Sequence, residues 1–186
     1  MNVNFICRPY TSADQELTKN FSSGNRYLDA FIADPQSALD TSYGKTYIFL
    51  FEDSHEIIGY YNITAGSVDV MLDGKSRVRS GGSIHINCFA VDKKYQKIAA
   101  AEQDGIRWNF SDFLMFDCLS TIREINRESL GFLFITLNST AEGLHLYARH
   151  EFEELDTDLV YSIDEKEQAE GLENCTQMYR FVDLEE

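Results

Sequence analysis

The stretch from Ser83 to Leu119 constrains this chain more than any other. Ser83-Ile84-His85-Ile86-Asn87-Cys88-Phe89-Ala90-Val91-Asp92 has the apolar content of a buried strand. A basic segment follows, Lys93-Lys94-Tyr95-Gln96-Lys97, and helical spacing begins near Ser111, which is a predicted N-cap. Strand, basic loop and helix N-terminus form a layout that can hold a phosphorylated cofactor, because first-turn amides and the helix dipole both favour an anion.

The other elements follow from periodicity and turn chemistry. Val3 to Tyr10 reads as a first strand. Ser12 with Gln15 reads as a capping box opening a short helix with Leu17 and Phe21 inward, which Ser22-Ser23-Gly24 breaks. Asn25 caps a second helix carrying Leu28, Phe31 and Ile32, with Pro35 near its end and a further turn at Ala38 and Leu39. Thr46 to Phe51 is a strand of β-branched and aromatic residues, and Ile57 to Thr64 returns beside it as an antiparallel hairpin. Ser67 to Gly82 is more polar and carries Asp73-Gly74, Lys75, Arg77 and Arg79, as a short extra hairpin or an excursion would.

After Ser111, the residues Leu114, Met115, Cys118, Leu119, Ile122 and Ile125 form one helical stripe. Phe132 to Leu137 is nearly continuous in hydrophobicity and fits a strand covered on both faces. Ser139 or Thr140 caps a helix carrying Leu144, Tyr147 and Ala148. Glu151 to Leu155 leads to an edge strand, and Asp158–Ser162 and Gln177–Val182 read as the last strands around an acidic connection, Asp164–Asn174. Antiparallel strands followed by a β-α-β-α run predict an α/β (α+β) fold: a mixed sheet of about seven strands flanked by helices on both faces, in one domain over residues 1–186.

Charge narrows the function classes. The net charge is −15, and residues 151–186 hold 13 acidic and two basic side chains. Nucleic acid is a disfavoured partner, since phosphate contacts dominate that affinity. The acidic segment serves solubility, or it attracts a cationic substrate. No apolar run reaches the roughly 18–20 residues of a membrane helix. Met1-Asn2-Val3-Asn4-Phe5 lacks the pattern of a secretory leader. Cys7, Cys88, Cys118 and Cys175 are widely spaced, which implies free thiols in a reducing cytoplasm and no metal site. The oligomeric state is left open, with a homodimer among the expectations.

With this order in place, the chain resembles the GNAT superfamily of N-acetyltransferases along nearly its whole length. The resemblance rests on Ile57-Ile58-Gly59-Tyr60-Tyr61, on His85 to Gln96 with its Ala90-Val91-Asp92 and Tyr95-Gln96, on the β-α-β-α order, and on Leu146-Tyr147-Ala148-Arg149-His150-Glu151-Phe152. Phe21-Ser22-Ser23-Gly24-Asn25 with Leu28, Asp29 and Phe31 resembles a branch that includes toxin-type acetyltransferases acting on aminoacyl-tRNA. The chain departs from the family in two places. No glycine follows Gln96 at the usual positions, and Glu151 stands where the family has glycine. Asp112 in the first turn of the helix would repel a phosphate.

The resemblance implies acetyl-CoA as co-substrate and a primary amine on a small molecule, peptide or protein as acceptor. It points to the backbone of Phe89, Ala90 and Val91 for the pantetheine arm, and to Tyr147 as the general acid that protonates the leaving thiolate. Gln96, Lys97 and Ser111 would serve the phosphates, with Lys93, Lys94 and Arg107 around them, and Ser139 would contact the cofactor arm. His85 is the candidate base for the amine, because histidine titrates near neutrality. Each has a plainer role as well: packed strand residues, an interfacial tyrosine, a hydrogen-bonded core histidine, a solvated basic loop, a helix cap. Trp108 and Phe110 either stack on an adenine or anchor the segment before the helix. A non-catalytic interaction module on the same fold is the alternative to an enzyme.

Overall fold

A computed structural model of the chain describes residues 4–72, 76–155, 159–161 and 175–182. Its strands are β1 (Phe5–Pro9), β2 (Lys45–Phe51), β3 (Ile57–Leu72), β4 (Ser76–Val91), β5 (Ala99–Gln103), β6 (Ile106–Asn109), β7 (Phe134–Ser139), β8 (Glu153–Glu154), β9 (Leu159–Tyr161) and β10 (Thr176–Phe181). Its α-helices are α1 (Gln15–Thr18), α2 (Arg26–Ala33), α3 (Pro35–Leu39), α4 (Phe110–Glu128) and α5 (Leu144–Arg149).

The main sheet is mixed and flanked by helices. Its order is β1-β2-β3-β4-β7-β10-β8, with β9 attached to β3, while β5 and β6 form a separate two-stranded sheet. β4 and β7 run parallel in register from Ser83↔Phe134 to Ile86↔Leu137. The β1–β2, β2–β3 and β7–β10 pairs are antiparallel. The sixteen-residue β3 and β4 show that the polar run after Ser67 is strand rather than excursion. The Asp73-Gly74 turn, Lys75 and the Asp164–Asn174 connection lie outside the described residues.

The chain divides into two compact units, Met1–Ile63 with Cys88–Leu119, and Thr64–Asn87 with Ser120–Glu186. In the first, Tyr10, Phe21, Ile32, Ile48, Leu50 and Tyr60 form a buried cluster with Cys88 and Ala90, and Leu17, Leu28 and Phe31 pack against it. The apolar residues read from α1 and α2 thus do face inward. In the second unit Val68 and Phe134 are buried, with Leu155 and Tyr179 against them. Helix α4 belongs to both units. Its stripe is as the spacing predicts: Leu114, Met115, Cys118, Leu119 and Ile122 are buried, and Ile125 is half-buried. Each fully buried Leu, Ile or Met contributes about 1.5–3 kcal/mol.

Several caps fall elsewhere than expected. The first capping box is Thr11 with Asp14, one residue before Ser12/Gln15. Arg8 explains the shift, because its guanidinium grips both Asp14 oxygens at 2.8 and 2.6 Å and fixes which carboxylate turns back to the Thr11 amide. Asn25 caps α2 as read, accepting from Tyr27 and Leu28. Pro35 does not trail α2; it opens α3, where its missing N–H costs nothing. Ser139 and Thr140 cap no helix. Ser139 is the last residue of β7, its hydroxyl donates to the Thr140 carbonyl, and α5 begins only after Gly143.

Candidate functional site

In the first unit the geometry is set where β4 ends. Asp92 N–H donates to the Ile58 carbonyl at 2.8 Å, tying the strand end to β3. At Gly59 an added Cβ would lie 2.6 Å from the Ala90 carbonyl oxygen and 3.0 Å from Leu114 Cδ2, so the approach of β3, β4 and α4 requires glycine there. Phe89, Ala90 and Val91 lie beyond Ile86, the last β4 residue paired with β7. Phe89 is half-buried, and Ala90 and Val91 are buried.

The turn after β4 closes on itself. Lys93 N–H donates to Ser22 O, Lys94 N–H to Asp92 Oδ1, Tyr95 N–H to Asp92 O, and Ile98 N–H to Tyr95 O, at 2.8–3.2 Å. The side chains follow the same rule. Gln96 Nε2 donates to Ser23 O at 2.7 Å and to Val91 O at 2.8 Å, which accounts for both of its amide hydrogens. Lys94 pairs with Glu56 at 3.1 Å. Lys97 is exposed. Gln96 is therefore a brace across the turn, and the basic loop is basic mainly at Lys93, Lys97 and Arg107, all exposed.

The Phe21–Asn25 segment is the other half of that turn. Ser22 N–H donates to Asp92 Oδ2 at 3.1 Å, and Asp29 Oδ1 accepts both the amide and the hydroxyl of Ser23 at 2.6 Å. Phe21 is buried against Tyr60. The motif is thus a clasp that holds the end of β4, and Asp29 on α2 holds the clasp. Its residues were legible as a motif; their partners, about 70 positions away, were not.

The segment between Lys97 and the helix is the β5–β6 hairpin. Helix α4 starts at Phe110, and Ser111 lies inside its first turn rather than capping it. The physical reason is Asp112. Its fully buried carboxylate accepts Asn109 N–H at 2.7 Å, so the carboxylate three residues on caps the helix. Phe110 is buried among Phe5, Phe51 and Tyr95, with ring centroids 5.2–5.8 Å apart. Trp108 lies 5.4 Å from Phe116. Both aromatics anchor the hairpin.

The second unit holds His85, Ser139 and Tyr147. His85 is buried beside Thr136, with Nδ1 2.9 Å from the threonine hydroxyl. Burial lowers its pKa from 6.5 to about 4. The expectation of a group titrating near neutrality does not hold, because in a dry site the imidazolium loses its hydration. Ser83, two residues earlier on the same strand face, is buried with no hydrogen-bond partner for its hydroxyl.

Ser139 and Tyr147 are brought together at Gly143. A Cβ there would lie 2.9 Å from the Tyr147 ring and 3.0 Å from the Ser139 hydroxyl. The Tyr147 carbonyl accepts the amides of His150 and Phe152, and the Tyr147 and Phe152 rings meet edge to face at 5.9 Å. Glu151 between them sits at φ +63°, a left-handed conformation that glycine adopts more readily than glutamate. Arg180 on β10 was not legible as a site residue. It is buried, donates to the His150 carbonyl at 2.6 Å and to Glu151 at 3.2 Å, and lies over the Phe152 ring at 5.9 Å. A lone arginine in a strand near the end of an acidic chain is the signal that could have found it.

Among the described residues no group of histidine, cysteine and carboxylate side chains could hold a metal ion, and no helix is long and apolar enough to cross a membrane. No model of a protein family and no curated protein matches the chain. Solved structures do. One described as a bacterial toxin is 20% identical, with a TM-score of 0.67 over 97% of this chain and 92% of that one. A tyrosine-to-phenylalanine mutant of KacT is 15% identical, with a TM-score of 0.67 over 96% and 95%. A GNAT-family N-acetyltransferase (YhbS) from Escherichia coli, in complex with CoA, is 16% identical with a TM-score of 0.54 over 98% and 84%. The chain has the GNAT fold. That fold is the one implied by Ala90-Val91-Asp92 and by the β-α-β-α order.

Proposed function

We propose that this chain is an acetyl-CoA-dependent N-acetyltransferase that passes an acetyl group directly to a primary amine. The observation that carries the reading is the fixed position of Tyr147: buried, set against Ser139 across Gly143, and followed by a turn that Arg180 locks. In this reaction the neutral amine attacks the thioester carbonyl carbon and the C–S bond breaks. The thiolate takes the Tyr147 hydroxyl proton, and the amine gives its surplus proton to water, from which the tyrosinate is reprotonated. The pantetheine arm would run along the backbone of Phe89 to Val91. His85, with a pKa near 4, stays neutral in the physiological range and orients β7 through Thr136 rather than accepting that proton.

Two measurements test the reading. Acetyl-CoA should raise the melting temperature in a concentration-dependent way. Tyr147→Phe should lower kcat by about 10²–10⁴, the usual worth of a positioned acid, while leaving the thermal shift with acetyl-CoA in place. An unchanged kcat removes Tyr147 from the chemistry, and no shift at millimolar ligand favours a non-catalytic module.

A toxin-type reaction on aminoacyl-tRNA is the second reading. The clasp of Phe21–Asn25 on the end of β4 and the likeness to a solved bacterial toxin favour it. The net charge of −15 opposes it. Acetylation of aminoacyl-tRNA with no activity on free amines would decide for it.

A further inference from the structure

Most of the polar groups in the turn after β4 are already bonded within the chain. Pyrophosphate cradles depend on backbone N–H groups that point outward, usually from glycine turns leading into a helix. Here the amides of Asp92, Lys93, Lys94, Tyr95 and Ile98 all donate to partners of this chain. Both hydrogens of the Gln96 side-chain amide are used, and the Lys94 ammonium is paired. No glycine occurs between Val91 and Asp104. At the helix start the Asn109 amide is satisfied by Asp112, and that buried carboxylate puts negative charge where a phosphate would need positive. The hairpin β5–β6 takes up the chain length that a phosphate turn would use.

We infer that the donor site recognises the acyl-pantetheine arm and makes little use of the nucleotide end of CoA, so that its substrate class is acyl-pantetheine thioesters at large. This rests on the acyltransferase reading above and narrows it. The arm needs strand backbone, for which Phe89–Val91 at the end of β4 is the candidate. The 3′-phosphoadenosine diphosphate needs an anion cradle, and the turn after β4 has turned most of its donors onto partners of this chain. Lys93, Lys97 and Arg107 are exposed cations that add attraction without a fixed geometry, and salt screens such attraction.

Titration calorimetry of the full chain with acetyl-CoA, S-acetylpantetheine and 3′,5′-ADP separates the outcomes without knowing the acceptor. The expected result is a dissociation constant for S-acetylpantetheine within about tenfold of that for acetyl-CoA, and no binding of 3′,5′-ADP at millimolar concentration. A preference for acetyl-CoA of a hundredfold or more, or clear binding of 3′,5′-ADP, overturns the inference while leaving the acetyltransferase reading intact. Absence of binding by both thioesters overturns both.

Discussion

Two turns carry the chemistry considered for this fold, and they are stabilised in opposite ways. The turn after β4 satisfies its own donors: amides, carboxylate and glutamine close a network with the Ser22-Ser23 clasp. The turn after α5 has a positive φ at Glu151, is closed by backbone bonds to the Ala148 and Tyr147 carbonyls, and takes a buried guanidinium from β10 on the His150 carbonyl. A network built from many weak partners tolerates the loss of any one of them. A turn in which a buried arginine satisfies a buried carbonyl is expected to lose more when that one side chain is removed. The first turn has no glycine, and its polar groups have internal partners. The second holds a glutamate at a positive φ, beside a buried arginine that bonds the preceding carbonyl.

After the proposed loss of turnover in Tyr147→Phe, the largest expected effect concerns pH, and it belongs to the second unit. His85 has a folded pKa near 4 against about 6.5 unfolded. Its pKa is depressed, so the folded state binds fewer protons between those values. Its neutral form therefore contributes fully above pH 6.5, and stability is lost as pH falls toward 4. The size is up to about 3 kcal/mol. Denaturant titrations at pH 7 and pH 4.5 should show this loss in the native chain and a much smaller one in His85→Gln. Asp14 in the first unit loses its stabilisation only at more acid pH, because Arg8 holds its carboxyl below the usual range. An equal loss in His85→Gln would mean that acid acts elsewhere, and the contrast between the units would fail there.

Next comes Arg180. Arg180→Met leaves the buried His150 carbonyl without its 2.6 Å donor and should lower stability by about 2–3 kcal/mol. Because the same turn carries the Tyr147 carbonyl bonds, kcat should fall with it. A melting temperature within a degree of the native one would show that the second turn, like the first, has redundant support.

Asp29→Ala tests that redundancy directly. Its carboxylate accepts two short hydrogen bonds from Ser23, worth about 1.5–2 kcal/mol together at a partly exposed site. The expected loss lies at or below that value, because Gln96, Lys93 and Asp92 still hold the clasp. A loss of more than about 4 kcal/mol, measured by denaturant unfolding, would show that the clasp is a single cooperative lock.

What was legible in the sequence followed from periodicity and from local chemistry. The α4 stripe, the Asn25 cap and the β2–β3 hairpin depend on neighbours a few positions away, and they stand as read. The exact caps were missed where a distant or competing partner decides them, as Arg8 does for Asp14 and the Asn109 amide does for Asp112. The motif around Tyr147 led to a buried tyrosine against Phe152, whereas the environment of His85 was not legible, because burial is set by packing and not by the local string. Arg180 and Asp29 act across 30 and six residues on backbone groups that carry no sequence signature.

The smallest expected effect has the opposite sign. Glu151 holds φ +63°, a conformation that costs a non-glycine residue about 1 kcal/mol, and its side chain is 78% exposed. Its pair with Arg180 at 3.2 Å adds little at that exposure. Glu151→Gly removes the strain and the exposed pair together, but it also frees the unfolded chain, which offsets part of the gain. The net expectation is a stabilisation between zero and about 1 kcal/mol with kcat unchanged. Since the His150 carbonyl keeps Arg180 in place, the turn should hold its shape without the glutamate. A destabilisation beyond 1 kcal/mol would mean that the carboxylate, rather than the backbone carbonyl, is what anchors Arg180, and the second turn would then rest on an ion pair.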